Sequence, residues 1–325
     1  MAIQHRGDEV GIVEDQEERW PIGQNTTPIA IIRWYNEMLE VTDPFETKEG
    51  ATEAKLILEP PLKMAKMLSP VDNAPDIICC GLNYKQHAKE VGLDIPKLPT
   101  LFSKSRNTLQ NPYDPIELPS CAENEVDYEG ELAVVIGRRG RNIPKEEAMD
   151  YVFGYTVAND ITARRWQGKK GGGQWFRGKS FDTFLPLGPS ITAAWSLDPS
   201  DLRIVTEVNG QIVQESSTKD MIFDVPTLIN FCSMDTTLMP GTIILTGTPA
   251  GVGLLERIHV LTFLSYRFLL CEQELSIFAH AQSSFPGYVR DPPLYLKAGD
   301  RVSVQIEGIG KLINPVVGPV TDAAT

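Results

Sequence analysis

Short apolar runs, each bounded by glycine, asparagine, aspartate or proline, recur along most of this chain. They lie at 76–84, 131–137, 151–160, 203–213, 241–247 and 300–312. Runs of this length with such boundaries are typical of β-strands. Asn209-Gly210 divides the run at 203–213 into two alternating halves, which predicts a hairpin with a two-residue type I′ turn.

Helical patterns are fewer and shorter than the strand patterns. They fall at 84–91, 145–151, 162–167 and 224–231. The chain is therefore predicted to be mainly β with minor helices, in the α+β class. Residues 1–72 form a poorly patterned leading segment, and residues 73–322 form one catalytic domain. Residues 254–291 lack both strand alternation and helix caps, so they are predicted to be an insertion in that domain, either a real one or the product of an unspliced intron.

The composition restricts the kinds of partner. The 325 residues include 30 Lys and Arg against 43 Asp and Glu, a formal net charge of −13, and 42% of them are hydrophobic. A negative protein without a basic stripe repels phosphate backbones, so no nucleic-acid partner is expected. The longest apolar stretch, 258–270, is interrupted by Arg267. It is shorter than the roughly 20 residues that cross a bilayer, so no membrane association is expected.

The cysteines and the N-terminal residues bear on the compartment. Five scattered cysteines make neither a disulfide framework nor a zinc pattern, which favours a reducing compartment. Residues 1–20 are acidic and lack the apolar run of a signal peptide. The expected location is cytoplasmic.

Residues 173–180 match the phosphate-binding pattern GxxxxGK[ST] letter for letter. That loop needs a buried strand before it and a helix that begins at its lysine. Here a glycine-rich stretch precedes the motif, and Pro186 and Pro189 soon follow it. The context disfavours nucleotide binding, although a kinase remains a second class to test.

The stretch 125–136 places several acids before an apolar run. Because side chains alternate along a strand, Asp127, Glu129 and Glu131 should point the same way. They lie either on a solvated strand face or at the mouth of a buried strand, where they need a cation. Asp160 ends another strand pattern, where it could equally be a helix cap. Glu129, Glu131 and Asp160 together would make an all-oxygen site suited to Mg²⁺ or Mn²⁺.

Four further positions are candidates for chemistry. Gln167 would share a face with Asp160 if the residues between them were helical, and Lys179 could neutralise an anionic substrate. Both are also ordinary surface residues in appearance. Glu90 lies one helical turn after His87 and can fix the tautomer of its imidazole, an arrangement suited to a general base or simply to a surface pair.

Several motifs together resemble the fumarylacetoacetate hydrolase superfamily. They are GLNYKQHAKE, EVDYEGELAVVIGRRG, YTVANDITARRWQ, GKSFDTFLPLGP, VNGQIVQ and ILTGTPAGVG, in this order and spacing. The resemblance covers about 75–320 apart from the insertion. GKSFDTF and PPLYLKAGD are most similar to the domain-containing protein 2 branch of that superfamily. The resemblance implies a mixed β-roll, usually as a homodimer.

The resemblance also implies roles for individual residues. Glu129, Glu131 and Asp160 would hold Mg²⁺ or Mn²⁺. The catalytic set would be His87, Glu90, Gln167 and Lys179. The substrate contacts would be Thr248, Gly247 and Arg106.

The substrates of such a family are small 2-oxo or 2,4-dioxo acids, which react through an enolate. Three outcomes are open for that enolate. Keto–enol tautomerisation or decarboxylation of an oxaloacetate-like acid is favoured by the branch resemblance, and C–C hydrolysis of an acylpyruvate follows closely. A catalytically impaired homologue in a biosynthetic pathway is a further alternative, because the insertion could occlude the pocket.

Overall fold

The computed structural model describes residues 66–253 and 293–319, with the backbone of two short strands near the N-terminus. Strands predominate, as the sequence predicts. They are β1 (Ile3–His5), β2 (Asp8–Val10), β3 (Lys66–Met67), β4 (Ile77–Gly81), β5 (Thr100–Ser103), β6 (Leu109–Gln110), β7 (Ile116–Glu117), β8 (Val126–Asp127), β9 (Gly130–Ile136), β10 (Val152–Asn159), β11 (Thr162–Ala163), β12 (Leu185–Ala193), β13 (Arg203–Val208), β14 (Gln211–Ser217), β15 (Ile243–Leu245), β16 (Arg301–Ile306) and β17 (Gly310–Val317).

The helices are short. The α-helices are α1 (Lys85–Glu90), α2 (Arg164–Gln167), α3 (Trp175–Lys179) and α4 (Val225–Ser233). The 3₁₀ helices are Arg106–Thr108, Lys145–Tyr151, Lys169–Gly171, Ala194–Ser196, Pro199–Asp201 and Thr218–Asp220. The described part of the chain is thus mainly β with minor helices, and its mixed, curled sheets form a β-roll.

Two sheets make up the body of this roll. A seven-stranded sheet has the order β5-β4-β15-β9-β10-β12-β6, and a five-stranded sheet has the order β14-β13-β16-β17-β7. Pairing within the larger sheet is mixed, since β15 runs parallel to β4 and antiparallel to β9. Smaller sheets join β11 to β8, and β1 to β2 and β3.

Strand β9 is buried on both faces. Leu132, Val134 and Ile136 pack into the core between the two large sheets and α4, whereas Ala133 and Val135 pack into a second core on the opposite face. A strand in this position must be apolar throughout, which explains the unbroken apolar run that follows Glu131. Any acid at its start is consequently removed from water.

Gly130 lets the two sheets approach each other at the start of β9. A Cβ atom at this position would lie 2.2 Å from Oγ1 of Thr206 on β13. No other residue fits such a close approach without displacing a sheet. The glycine therefore fixes how close its neighbours Glu129 and Glu131 lie to the five-stranded sheet.

The predicted hairpin is confirmed. Strands β13 and β14 pair antiparallel on either side of Asn209 and Gly210. Both turn residues have positive φ, 53° and 79°, as a type I′ turn requires.

The helix predictions hold with shifts at their ends. The prediction at 145–151 corresponds to a 3₁₀ helix, and those at 84–91 and 224–231 correspond to α1 and α4. The prediction at 162–167 begins too early, because Thr162 and Ala163 pair with β8 before the chain turns into α2. Helix α3 and strand β12 were not predicted, since Pro186 and Pro189 lie within β12 and argue against a strand.

The leading segment and the predicted insertion lie largely or wholly outside the described residues, so their boundaries stay predictions. The chain leaves the described part at Gly253 and is described again from Pro293. Within the described part, no helix combines the length and the apolar character needed to cross a bilayer.

Candidate active site

Three carboxylates converge where β9 begins and β10 ends. One oxygen from each of Glu129, Glu131 and Asp160 lies within 4.8 Å of the others, and all three residues are buried. The antiparallel register brings them together, because Glu131 pairs with Ala158 and the amide of Asp160 donates to the carbonyl of Glu129 at 2.8 Å. Asp160 is not a helix cap, since α2 begins four residues later after Ala163.

Three buried cations surround this cluster. Nζ of Lys179 lies 2.6 Å from Glu129 Oε2 and 2.5 Å from Asp160 Oδ2. Nζ of Lys104 lies 2.6 Å from Asp160 Oδ1 and donates to the carbonyl of Ile161 at 3.1 Å. The third cation, Arg164, bridges Glu129 and a neighbouring buried acid. The solvated surface positions that Glu129, Glu131 and Lys179 could have occupied are therefore excluded.

Arg164 joins the carboxylate cluster to strand β8. Its Nη1 lies 2.7 Å from Glu129 Oε1 and its Nη2 lies 2.6 Å from Asp127 Oδ2. Asp127 also accepts from the amide of Gly253 at 2.8 Å. Asp127 thus points to the same region as Glu129 but serves to hold Arg164 and the chain at Gly253.

These contacts shift the pKa values of Glu129 and Lys179 in opposite directions. Burial alone would raise the pKa of Glu129, but Lys179 and Arg164 outweigh it and lower that pKa to about 2. Burial would lower the pKa of Lys179, but Asp160 and Glu129 raise it above its ordinary value. Lys179 therefore remains an ammonium and cannot act as a base at neutral pH.

Glu131 differs from its neighbours. Its Oε2 accepts from the amide of Gly247 at 2.7 Å, yet within the described ranges it has no ion pair. Burial raises the pKa of Glu131 well above its ordinary value, and the charges of Asp160 and Glu129 raise it further. A buried carboxylate in this state calls for a cation.

The residues present fit a divalent cation. Four buried carboxyl groups, Asp127 included, face the three cations Lys104, Arg164 and Lys179, so one carboxyl group, that of Glu131, has no cationic partner among the described residues. An all-carboxylate donor set is the kind that Mg²⁺ and Mn²⁺ prefer. The cluster of Glu129, Glu131 and Asp160 is therefore a possible metal site, and nothing in its geometry selects one ion over the other.

The His87–Glu90 pair forms as the spacing predicts. Nδ1 of His87 lies 2.9 Å from Glu90 Oε2 across one turn of α1. Glu90 also accepts from the amide of Gly251, at 3.0 Å and 3.2 Å to its two oxygens. Gly251 has φ of +101°, and a Cβ there would lie 2.2 Å from the carbonyl oxygen of Val213. The loop after β15 therefore needs glycine at this point to hold Glu90 in place.

A cavity of about 360 Å³ connects these groups. The predicted residues that line it are His87, Glu129, Glu131, Gln167, Lys179 and Thr248. Since Nδ1 of His87 is engaged by Glu90, its Nε2 is the ring nitrogen available to the cavity. Cys80 also lines the cavity, but burial raises the pKa of its thiol to about 12, so it is not a thiolate nucleophile.

Gln167 and Thr248 both line the cavity, but Gln167 lies on a shorter helix than predicted. Gln167 does not share a continuous helix with Asp160, but α2 brings its Oε1 within 2.7 Å of Arg164 Nη1. Thr248 donates through Oγ1 to the carbonyl of Gly130 at 3.0 Å and accepts from Gln214 Nε2 at 2.8 Å. Both side chains are thereby held in fixed orientations.

Two predicted substrate contacts are not brought into the cavity lining. The amide of Gly247 is used to hold Glu131. Arg106 is exposed, and its Nη1 donates to Asn73 Oδ1 at 2.8 Å. Gly247 is therefore placed to position a carboxylate, and Arg106 has no described contact with the site.

The resemblance of residues 173–180 to a phosphate-binding loop is not matched by their structure. A 3₁₀ helix, Lys169–Gly171, precedes them in place of a strand. Lys179 ends α3, where a phosphate-binding lysine would begin a helix, and its ammonium is bound by two carboxylates. The nucleotide-binding alternative has no geometric support.

Sequence reasoning did not identify Lys104, Arg164 or Lys169 as part of the site. A general signal existed, because buried acids require buried cations, but only Arg164 follows closely on a predicted strand pattern, at 151–160. Nothing in the sequence distinguishes Lys169, which lines the cavity, from its neighbour Lys170.

The fold and the site define a class: a mixed β-roll with a buried carboxylate cluster that faces a histidine–glutamate pair across one cavity. The family model described as fumarylacetoacetate (FAA) hydrolase C-terminal matches residues 76–317. The chain belongs to the fumarylacetoacetate hydrolase family.

Curated relatives fall in one branch of that family. "Oxaloacetate tautomerase fahd2, mitochondrial" of Xenopus laevis is 43% identical, over 77% of this chain and 68% of that protein. "Oxaloacetate tautomerase FAHD2A, mitochondrial" of Homo sapiens is 40% identical, over 79% of this chain and 71% of that protein.

Solved structures share the fold. The 5-carboxymethyl-2-hydroxymuconate delta-isomerase of Mycobacterium smegmatis is 38% identical with a TM-score of 0.61, covering 79% of this chain and 83% of its own. The fumarylacetoacetate hydrolase of Exiguobacterium antarcticum is 38% identical with a TM-score of 0.63, covering 80% of each chain.

Proposed function

We propose that this protein is a divalent-metal-dependent enzyme that interconverts the keto and enol forms of oxaloacetate or a closely similar 2-oxo acid. The observation that carries the proposal is the buried cluster of Glu129, Glu131 and Asp160, which shares one cavity with the His87–Glu90 pair. The printed names of the Xenopus and human relatives support the same reaction.

Glu129, Glu131 and Asp160 would hold the cation. When bound, Mg²⁺ or Mn²⁺ would withdraw electron density from the keto and carboxylate oxygens of a 2-oxo acid and so lower the energy of the enolate. Lys104 and the amide of Gly247 hold two of these three carboxylates from behind, which keeps them directed at one point.

His87 would move the proton. Its Nε2 removes a proton from C3 of the substrate, the C–H electron pair shifts toward the C2 carbonyl, and the C2 oxygen gains a proton to complete the enol. No atom enters or leaves the substrate, and His87 is regenerated once the proton has been passed on. Glu90, held by the amide of Gly251, keeps the imidazole in the required orientation.

Lys179, Gln167 and Thr248 would bind and orient the substrate. Lys179 is a permanent cation beside the carboxylates and can stabilise negative charge that develops on the C2 oxygen. Thr248 and Gln167 line the same cavity and offer polar contacts to the substrate carboxylate and to water.

A second candidate is C–C hydrolysis of an acylpyruvate. The position of His87 beside the cavity also suits activation of a water molecule, and a solved relative is named a fumarylacetoacetate hydrolase. Decarboxylation would start from the keto form of oxaloacetate: the C3–C4 bond breaks, CO₂ leaves, and the electron pair shifts toward the C2 carbonyl to give the enolate of pyruvate, which takes up a proton at C3. A catalytically impaired homologue would bind metal without turnover of any of these acids.

An ultraviolet assay separates the candidates. The enol band of oxaloacetate and that of acetylpyruvate are followed with Mg²⁺ and with EDTA, together with pyruvate and CO₂ formation. Tautomerisation predicts a metal-dependent approach to keto–enol equilibrium without pyruvate or CO₂. Glu131→Gln should abolish the effect, whereas Glu146→Gln, an exposed acid outside the cavity, should not. Full activity of Glu131→Gln would reject the metal assignment.

The oligomeric state and the compartment are also proposals. We expect a homodimer of the domain at 73–322, as the family resemblance implies, and light scattering on the purified protein tests it. The cytoplasm stays our prediction, whereas the two relatives above are mitochondrial by name. Imaging of a C-terminal fluorescent fusion decides between these compartments.

A further inference from the structure

The cavity contains one cation that its own carboxylates do not neutralise. Three basic side chains line it: Arg164, Lys169 and Lys179. Arg164 and Lys179 are each held by two carboxylates at 2.5–2.7 Å. In the ranges that the structure describes, Lys169 lines the cavity without an ion pair. A cation of this kind is available to a ligand.

Lys169 lines the solvent-exposed side of the cavity, here called its mouth, whereas Glu129 and Glu131 line its buried side, here called its floor. It is exposed, whereas Glu131 and Lys179 on the floor are only 2% and 1% exposed. The chain places it there through Gly168, which ends α2 and begins the 3₁₀ helix Lys169–Gly171. The mouth thus carries a cation, while the floor carries the carboxyl groups that would hold a metal.

Apolar side chains make up much of the remaining lining. Phe102 and Trp175 pack edge to face with their ring centroids 5.3 Å apart, and Leu93 and Val252 also line the cavity. A second charged group on a substrate cannot be solvated by these walls. It must reach either the floor or the mouth.

We propose that Lys169 binds the distal carboxylate of the substrate and makes the enzyme selective for 2-oxo dicarboxylic acids over 2-oxo acids with an uncharged far end. This inference rests on the proposed function, since it assumes that the 2-oxo acid end lies at the floor. A cavity of about 360 Å³ has room for a four-carbon dicarboxylate.

Lys170 supplies a matched control. It is the next residue, it is exposed, and it does not line the cavity. Lys169→Met and Lys170→Met remove the same charge from the same surface stretch. A general loss of positive potential would affect both variants, whereas a direct contact affects Lys169→Met alone.

The test compares two substrates that differ only in the distal charge. The kcat/KM for enolisation is measured for oxaloacetate and for its 4-methyl ester, with saturating Mg²⁺, in wild type, Lys169→Met, Lys169→Glu and Lys170→Met. We expect the ratio of oxaloacetate to ester to fall about fivefold in Lys169→Met, the change that loss of a partly exposed ion pair produces. Charge reversal in Lys169→Glu should lower it further, mainly through KM, and Lys170→Met should keep the wild-type ratio.

The possible results distinguish a failure of the role proposed for Lys169 from a failure of the proposed tautomerase function. Turnover of both substrates with the same ratio in wild type and Lys169→Met would overturn the role of Lys169 and leave the tautomerase standing. An equal fall in Lys169→Met and Lys170→Met would also overturn it. Absence of metal-dependent turnover of either substrate by wild type would overturn both proposals.

Discussion

Nζ of Lys104 lies 2.6 Å from Oδ1 of Asp160, and both side chains are completely buried. The other oxygen of Asp160 is engaged by Lys179 at 2.5 Å. Lys104 therefore occupies one oxygen of a candidate metal ligand, and Lys179 bridges the inner oxygen, Oδ2, to Glu129. It follows that a cation at the cluster would compete with Lys179 for the inner oxygen.

Lys104→Met should destabilise the metal-free protein strongly. Removing one partner of a buried ion pair leaves the other charge uncompensated, which costs about 3–5 kcal/mol. Added Mg²⁺ should restore part of the loss, because a cation on the inner oxygen compensates Asp160. The free energy of unfolding in urea, measured with EDTA and with Mg²⁺, checks both statements.

Lys219→Met is the control for this variant. Lys219 pairs with Asp201 at 3.1 Å, but their side chains are 68% and 58% exposed. Exposed pairs contribute about 0–1 kcal/mol, so this variant should unfold almost as wild type does. Equal effects of the two substitutions would contradict the role assigned to Lys104.

Stabilisation by Mg²⁺ should grow as the pH rises from 6 to 8. Because the pKa of Glu131 is raised well above its ordinary 4.5, the folded metal-free protein holds a proton that the unfolded chain has already released. Its stability therefore falls as the pH rises above that ordinary value, up to the raised pKa. A bound cation replaces the proton and removes this loss.

Melting temperatures in EDTA and in Mg²⁺ at pH 6, 7 and 8 measure this effect. Glu129 does not contribute to the trend, because its lowered pKa of about 2 leaves it ionised throughout this range. Glu131→Gln, which cannot titrate, should give a gap between the two curves that is small and independent of pH. A wild-type gap that stays constant would show that Glu131 is not the group linked to metal binding.

His87→Gln should lower kcat for enolisation by about 10²–10⁴, the usual contribution of a positioned general base. Metal affinity should not change, since His87 is outside the carboxylate cluster. The measurement pairs the ultraviolet assay with Mn²⁺ titration by calorimetry. Loss of metal binding in this variant would mean that His87 supports the fold of the site and not the proton transfer.

Asp224→Ala should cost about 1 kcal/mol of stability at pH 7, because Asp224 caps α4. Its Oδ1 accepts from the amide of Thr227 at 2.9 Å and pairs with Lys145 Nζ at 3.0 Å. Burial would raise the pKa of Asp224, but these contacts lower it below its ordinary 3.8. The stabilisation is therefore present above that value and is lost as the pH falls through the lowered pKa.

Urea midpoints at pH 7 and at the lowest pH at which the wild type still folds check the capping role. The difference between wild type and Asp224→Ala should shrink toward the lower pH, because the pKa of Asp224 lies below 3.8. Glu146→Ala, an exposed acid on the 3₁₀ helix that precedes β10, should change neither midpoint. A deficit of equal size at both pH values would mean that the carboxylate charge is irrelevant.

Local sequence signals predict much of the fold. The apolar runs at β4, β9, β10 and β15 are long enough to identify strands, and Asn209-Gly210 identifies their clearest turn. Strand β12 was not predicted because it contains two prolines. Pro189 lies within the register shift between Gly188 and Thr192, and Pro186 pairs with Gln110 of β6. The order of strands within each sheet depends on contacts distant in sequence, which no local pattern encodes.

The sequence predicts the acidic residues of the candidate site better than it predicts the cationic ones. Glu129 and Glu131 are identified by alternation before an apolar run, and Glu90 by helical spacing from His87. Lys104 is 56 residues from Asp160, so only the folded chain pairs them. Arg106 was predicted to contact the substrate, whereas in the structure its Nη1 donates to Asn73 Oδ1. Nothing in the residues next to Arg106 along the chain indicates this hydrogen bond.

The carbonyl of Gly253 accepts a hydrogen bond of 3.1 Å from the amide of Leu294. Gly253 and Leu294, on either side of the intervening segment, are thus hydrogen-bonded to each other. The strands before and after that segment can therefore keep their register whatever its length. Lengthening this segment changes only the entropic cost of loop closure, and that cost grows slowly with loop length. Splice variants or engineered fusions could therefore differ at this junction and still assemble the same β-roll.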